Sequence, residues 1–348
     1  MSAGGATIIG VGARTASGLT ALQVAMSARA LKFAPRPSHF IDRHGEPIGT
    51  ARLRSIADNV IGIDRFVALG GPALTQAAFP WVSAQASGTR MPVVIALPSE
   101  SRPGFDPRMK AHLLAALEAR SRVPIDRDRS ELVLRCRGGG VIAFEKAMAK
   151  LRRGDCEAVA VGGIDSYFDP DALEYLDAEL RLHSMETENG FVPGEGAGFV
   201  VLAPRRRLQG QKRWAEVLSA GSADEPRPYG SEEPSIGLGL TLAVKRAAEQ
   251  AGLGDGAIGW ALTDVANERH RVDDWSYALA RNHAAFAQDV IHEQPLLKTG
   301  DLGAASAAVL LSIAVMRWDT GSAVSPAALI ATASDGAERG ALVATAAS

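Results

Sequence analysis

The feature that most constrains this chain is a pattern that occurs twice. A turn of small residues opens an apolar helix, and an apolar strand follows. The first copy covers residues 138–161 and the second covers 303–329. Strands alternating with helices argue for an α/β layered fold, because each helix must cover one face of a sheet. A duplicated α/β half suits a chain of 348 residues, a length that suggests about two domains. The expected units are residues 1–203 and 204–348.

The remaining elements follow from period and punctuation. Short apolar runs at 6–11, 91–97, 131–134, 158–161, 199–202, 214–218, 260–265 and 341–345 read as strands. Helical spacing occurs at 20–31, 112–119, 141–153, 237–251 and 302–317, with Gly154 and Gly252 as stops. Asn189-Gly190 is a hairpin signal before the strand at 199–202, and residues 222–234 read as a surface loop. The longest uncharged run, 302–316, has 15 residues. A membrane span needs about 18 or more, so this run reads as a buried helix.

Several function classes are disfavoured. Thirty-seven basic residues against 39 acidic ones leave a net charge of −2, which gives no electrostatic case for nucleic acid or a membrane surface. Two cysteines, Cys136 and Cys156, cannot staple a chain this long, and the first ten residues lack a signal-peptide pattern, so the expected compartment is the cytoplasm. Gly10-Val11-Gly12 lacks the third glycine of a dinucleotide fingerprint. Arg205-Arg206-Arg207 with Lys212 and Arg213 reads as a solvated basic loop. The seven histidines are scattered, His270 among charged neighbours, and none has metal-ligand spacing to a cysteine or carboxylate. No metal and no cofactor is expected.

Three segments carry more specific information: 136–166 (CRGGGVIAFEKAMAKLRRGDCEAVAVGGIDS), 189–202 (NGFVPGEGAGFVVL) and 297–318 (LKTGDLGAASAAVLLSIAVMRW). A strand-to-helix turn of small residues presents a side chain at the positive end of a helix, where an acyl-transfer thiolate is stabilised. In this order the segments resemble the thiolase-fold β-ketoacyl synthases. The resemblance implies a thiolase-like fold with duplicated α/β halves in α-β-α-β-α layers. The first unit would carry the nucleophile turn, and the second the histidine loops.

The resemblance also implies a cysteine nucleophile and two histidines, and this chain departs at all three. Aligned without gaps, the nucleophile position falls on Arg137, and Cys136 is one residue early. One residue reverses the face that a side chain takes, so Cys136 reads as a small buried residue, with a one-residue shift of the turn as the alternative. The histidine of the KTGH-like loop corresponds to Asp301, and the other to Asp264. An arginine forms no thioester, and an ionised aspartate repels a developing enolate. Arg137 is expected to bridge Asp264 and Asp301, closing the old site. Lys298 and Glu195 match the family's lysine and glutamate and are expected to form a fold-supporting ion pair. The segment 334–340 replaces the family's glycine- and phenylalanine-rich gating loop with charges.

The function expected is therefore that of a catalytically inactive ketosynthase-like protein that works by binding. Its partner would be a second copy or a ketosynthase homologue, paired through strands beside the nucleophile turn, with the strand at 158–161 as the candidate. An acyl carrier protein or a bacterial secretion effector is the other partner class, and the charged loop and short chain lean towards an adaptor. The alternative is an active β-ketoacyl synthase or acyltransferase that uses Cys136.

Overall fold

The computed structural model describes residues 5–86, 88–184, 187–204 and 212–347. The basic run Arg205–Arg207 lies outside the described residues. Lys212 pairs with Asp319 and sits over the Trp214 ring.

The first half supplies β1 (Ala6–Thr15), β4 (Val93–Leu97), β5 (Glu131–Leu134), β6 (Val159–Ser166) and β7 (Glu195–Ala203). They lie in the order β5-β4-β6-β7-β1. The second half supplies β8 (Ala215–Asp224), β9 (Ile258–Thr263), β10 (Phe286–Glu293), β11 (Ala327–Ala333) and β12 (Glu338–Ala346), in the order β10-β9-β11-β12-β8. Each set pairs its outer three strands parallel and its inner pairs antiparallel. The sets therefore repeat one topology, joined where β1 meets β8 at Thr7 and Glu216.

Strand alternation distributes side chains between layers. In β4, Val94 and Ala96 enter the central core while Val93, Ile95 and Leu97 enter an outer one. In β11, Ala328 and Ile330 are central while Leu329 and Ala331 face the other outer core. The central layer holds α1 (Ala21–Arg29), α4 (Cys136–Arg153) and α9 (Ser306–Asp319). One outer layer is α2 (Gly62–Val82) with α3 (Arg108–Ser121); the other is α6 (Leu238–Ala251) with α7 (Arg269–Arg281). This is an α-β-α-β-α stack. A short hairpin, β2 (Arg36–Ile41) with β3 (Pro47–Thr50), and the helices α5 (Pro170–Ala178) and α8 (Leu296–Thr299) lie outside it.

Several expectations are corrected. The helix expected from Val141 begins at Cys136, so the three glycines form its first turns. They are there for close approach: a Cβ on Gly140 would lie 2.7 Å from Ala307 Cβ of α9. The strand at 158–161 is interior, flanked by β4 and β7, and is closed to a partner; β5 is the edge. Asn189-Gly190 turns the chain, but α5 and a long loop separate β6 from β7, so no tight hairpin forms. Gly10 and Gly12 lie within β1, where a Cβ would strike the α2 backbone at Ala77 and Ala73. Among the described residues no helix is long and apolar enough to cross a membrane.

Candidate functional site

Strands from both halves deliver their carboxyl ends to one place. Such a convergence is the usual site position in α/β folds. The chain after β5 turns into α4 at Cys136, whose φ of 51° is left-handed. This sharp elbow puts Arg137 in the first helical turn, 1% exposed. A cation there faces the positive end of the α4 dipole and needs carboxylates.

Asp301 supplies the first. It accepts from Arg137 Nε at 3.1 Å and Nη2 at 2.9 Å, in a two-pronged contact. It also accepts from Arg271 Nη1 at 2.6 Å and from the Gly303 amide at 2.8 Å. Burial raises the Asp301 carboxyl, but the Arg137 and Arg271 guanidiniums outweigh it and hold it at about 2. The second carboxylate is not Asp264. Arg137 Nη1 donates to Asp335 Oδ1 at 2.9 Å, and Nη2 also reaches the Tyr167 hydroxyl at 3.1 Å.

Asp264 belongs to Arg271 instead. The Arg271 guanidinium bonds the Asp264 carbonyl and lies 3.6 Å from its Oδ2, which accepts the Ala333 amide at 3.0 Å. Burial pushes the Asp264 carboxyl up. The expected bridge from Arg137 to both Asp264 and Asp301 is thus corrected: Arg137 spans Asp301 and Asp335, and Arg271 links Asp301 to Asp264. Arg181 extends the network, bonding Glu268 Oε1 at 2.7 Å and Asp335 Oδ2 at 2.9 Å.

The expected Glu195–Lys298 ion pair does not form. Glu195, fully buried, takes Arg65 of α2 through two bonds, together with the Ser166 hydroxyl and the Leu53 amide, both at 2.7 Å. Lys298 is half-buried and makes no ion pair among the described residues. Its backbone carbonyl accepts from the Ala34 amide. Sequence reasoning missed Arg65, Arg181 and Arg271. Arg271 had a signal in the charged stretch at 265–274, but Arg65 and Arg181 had none, because their partners lie 87 to 154 residues away and leave no local trace.

Cys136 is half-buried beside a cavity of about 450 Å³ lined in part by Arg137, Tyr167, Arg181, Tyr229 and Asp335. Its sulfur accepts from the Ser99 amide at 3.1 Å, and among the described residues no imidazole bonds it. Burial pushes the thiol up to about 11, against a partial pull from Arg102. At neutral pH it is a thiol, which is a poor nucleophile. The loop after β11 is pinned beside it. Ser334 Oγ accepts the Gly138 amide and donates to the Arg135 carbonyl, and Arg339 Nη1 bonds the Ser334 and Gly336 carbonyls. A larger hollow of about 580 Å³, lined by Trp81, Arg129 and Cys156 among others, lies at the opposite ends of β4 and β6, away from this convergence.

Comparison with known proteins fits this architecture. A family model, beta-ketoacyl synthase, N-terminal domain, matches residues 136–207. The ishigamide ketosynthase/chain length factor superposes with a TM-score of 0.74 at 18% identity, covering 99% of this chain and 100% of that one. The fold is that of a ketosynthase. The ketosynthase ApeO in complex with its chain length factor ApeC, from Xenorhabdus doucetiae, gives 0.74 at 15% identity, covering 99% and 98%. Among curated proteins, the hybrid PKS-NRPS synthetase apdA of Emericella nidulans is 29% identical over 123 residues. That match takes in 32% of this chain but spans about 3% of the synthetase. In this ketosynthase fold, the Asp335–Arg137–Asp301–Arg271 network occupies the end of the elbow.

Proposed function

We propose that this chain is a catalytically inactive ketosynthase-fold subunit that pairs with a ketosynthase homologue. One observation carries the reading. The buried Arg137 guanidinium, locked to Asp301, occupies the elbow where the resemblance places the acyl-accepting cysteine. A guanidinium of this kind neither attacks a thioester nor gives up its proton. Asp301 and Asp264 stand where imidazoles would be needed and cannot donate to an enolate oxygen while ionised. Among the described residues no base is bonded to the Cys136 thiol, and the charged loop beside it is pinned through Ser334 and Arg339.

A ketosynthase homologue is preferred over a secretion effector as partner, because solved structures of this fold include ketosynthases with their chain length factors. An acyl carrier protein is the second expected contact. The purified chain, incubated with an acyl thioester on a carrier protein, is expected to show no acyl adduct by intact mass. An adduct that disappears in Cys136→Ala would instead establish the acyltransferase reading. Co-expression with a ketosynthase homologue is expected to give a mixed dimer.

A further inference from the structure

The α1 helix ends in a turn that is both strained and apolar. Leu31 sits at a φ of 51°, in the left-handed region. The Leu31 amide bonds the Ala28 carbonyl and the Lys32 amide bonds the Ser27 carbonyl, both at 3.0 Å. This pair of bonds closes a helix end whose left-handed position favours glycine. A leucine there bears backbone strain, and its side chain, 68% exposed, gains little burial in return. Phe33, two residues on, is 51% exposed. The turn is nevertheless held in place. Pro35 is buried, and the Ala34 amide donates to the Lys298 carbonyl at 2.9 Å, which brings the exposed Leu297 and the half-buried Lys298 alongside.

Charge is segregated at the same place. Arg29, Lys32 and Arg36 flank the two apolar side chains, Lys298 lies beside them, and none of the four makes an ion pair among the described residues. The first 41 residues contain no aspartate or glutamate; the chain's first acidic residue is Asp42. The net charge of −2 for the whole chain conceals this. The negative end of the α1 dipole accounts for Arg29 and Lys32, but it gives no reason to hold a leucine and a phenylalanine in water around them. Leu180 closes α5 in the same left-handed way, at a φ of 57°, but with Asp177 and Glu179 before it and the buried Arg181 after it.

We propose that the turn between α1 and β2 is a docking tip for an anionic lipid bilayer. Leu31 and Phe33 enter the boundary between headgroups and acyl chains, while Arg29, Lys32, Arg36 and Lys298 meet the lipid phosphates. Long basic side chains reach outward past apolar neighbours, so the two kinds of residue act at two depths. Shape argues against a protein partner. A partner helix lies along a linear groove with anchors spaced over several turns, whereas these apolar side chains crowd one turn. A bilayer needs no matching hollow. Two apolar tips and four cations hold a surface reversibly, so the docking is sensitive to salt. No residue of the elbow or of β5 takes part, and the proposal stands apart from pairing with a ketosynthase homologue.

The full chain is sedimented with vesicles of phosphatidylcholine alone and with vesicles of phosphatidylcholine and phosphatidylglycerol in equal parts. Saturable binding is expected only with the mixed vesicles, and added salt is expected to weaken it. Lys32→Gln is expected to weaken it by about fivefold, the worth of one cation at an anionic surface. Leu31→Gly removes the strain together with the apolar tip. Its thermal midpoint is expected to hold or rise while vesicle binding falls by at least about fivefold. Leu180→Gly makes the same change away from the cations and is expected to leave binding unchanged. Absence of binding to mixed vesicles overturns the proposal. So does equal binding to both vesicle types, unaltered binding by Leu31→Gly and Lys32→Gln, or an equal loss in Leu180→Gly. Capture of soluble polyglutamate without vesicle binding also overturns it, in favour of an acidic protein partner. The vesicle comparison is read on the unaltered chain, so the test survives a variant that fails to fold.

Discussion

At the scale of the residue, Arg137 is a cation placed at the wrong end of a helix dipole and stripped of water. Either burden alone would expel it. Asp301 reverses both by bringing a second guanidinium, Arg271, and a backbone amide to the same carboxylate. Removing one partner of a buried pair costs about 3–5 kcal/mol, because the other charge is left unpaired. Asp301→Asn is expected to lose stability of that order in urea unfolding. The pH dependence follows from the sign of the shift. The Asp301 carboxyl ionises at about 2 when folded, below its ordinary 3.8. Its contribution is complete above about pH 4 and disappears as pH falls through about 2. Urea midpoints measured from pH 5 downwards should decline more steeply for the native chain than for Asp301→Asn. Equal slopes would show that Asp301 does not drive the acid loss.

At the scale of the element, α4 joins the halves, because its glycine-rich start slides against α9. Gly140→Ala sets two effects against each other. Alanine gains about 1 kcal/mol of helix propensity over glycine. The new Cβ, however, would lie 2.7 Å from that of Ala307, and overpacking a tight core costs about 1–3 kcal/mol. We expect a net loss, measurable as a lower thermal midpoint. The same contact explains why the helix start was misplaced from the sequence. Three glycines read as a turn by propensity, and only the neighbouring helix makes them helical. By contrast β5, the helix α1 within 20–31 and the α4 stop at Gly154 were legible, since a short apolar run, helical spacing and a terminal glycine are local signals. The long helix α2 went unread because Pro72 and Pro80 interrupt its pattern.

At the scale of the whole molecule, the edge strand β5 offers unpaired backbone beside the elbow, while the interior β6 offers none. We propose β5 as the pairing edge, with Leu132 and Leu134 as its half-buried apolar flank. Edge strands are blunted by charge. Leu132→Lys is expected to shift the mass found by light scattering from dimer towards monomer. An unchanged dimer would move the interface elsewhere. The division at residues 203 and 204 is likewise a proposal, which limited proteolysis would test by cutting there first.

By itself the sequence determined the α/β class, the duplicated halves and the residues standing at the elbow and in the 298–305 loop. Those follow from period, small-residue turns and local order, which act over a few positions. Tertiary structure alone decided the charge pairing: Arg137 with Asp335, Arg271 with Asp264, Glu195 with Arg65. A buried charge selects whichever opposite charge packing brings within reach: Arg137 and Asp335 meet across the two halves, whereas Arg65–Glu195 and Arg271–Asp264 form within one half, where the path of the folded chain rather than the residue types sets the distance.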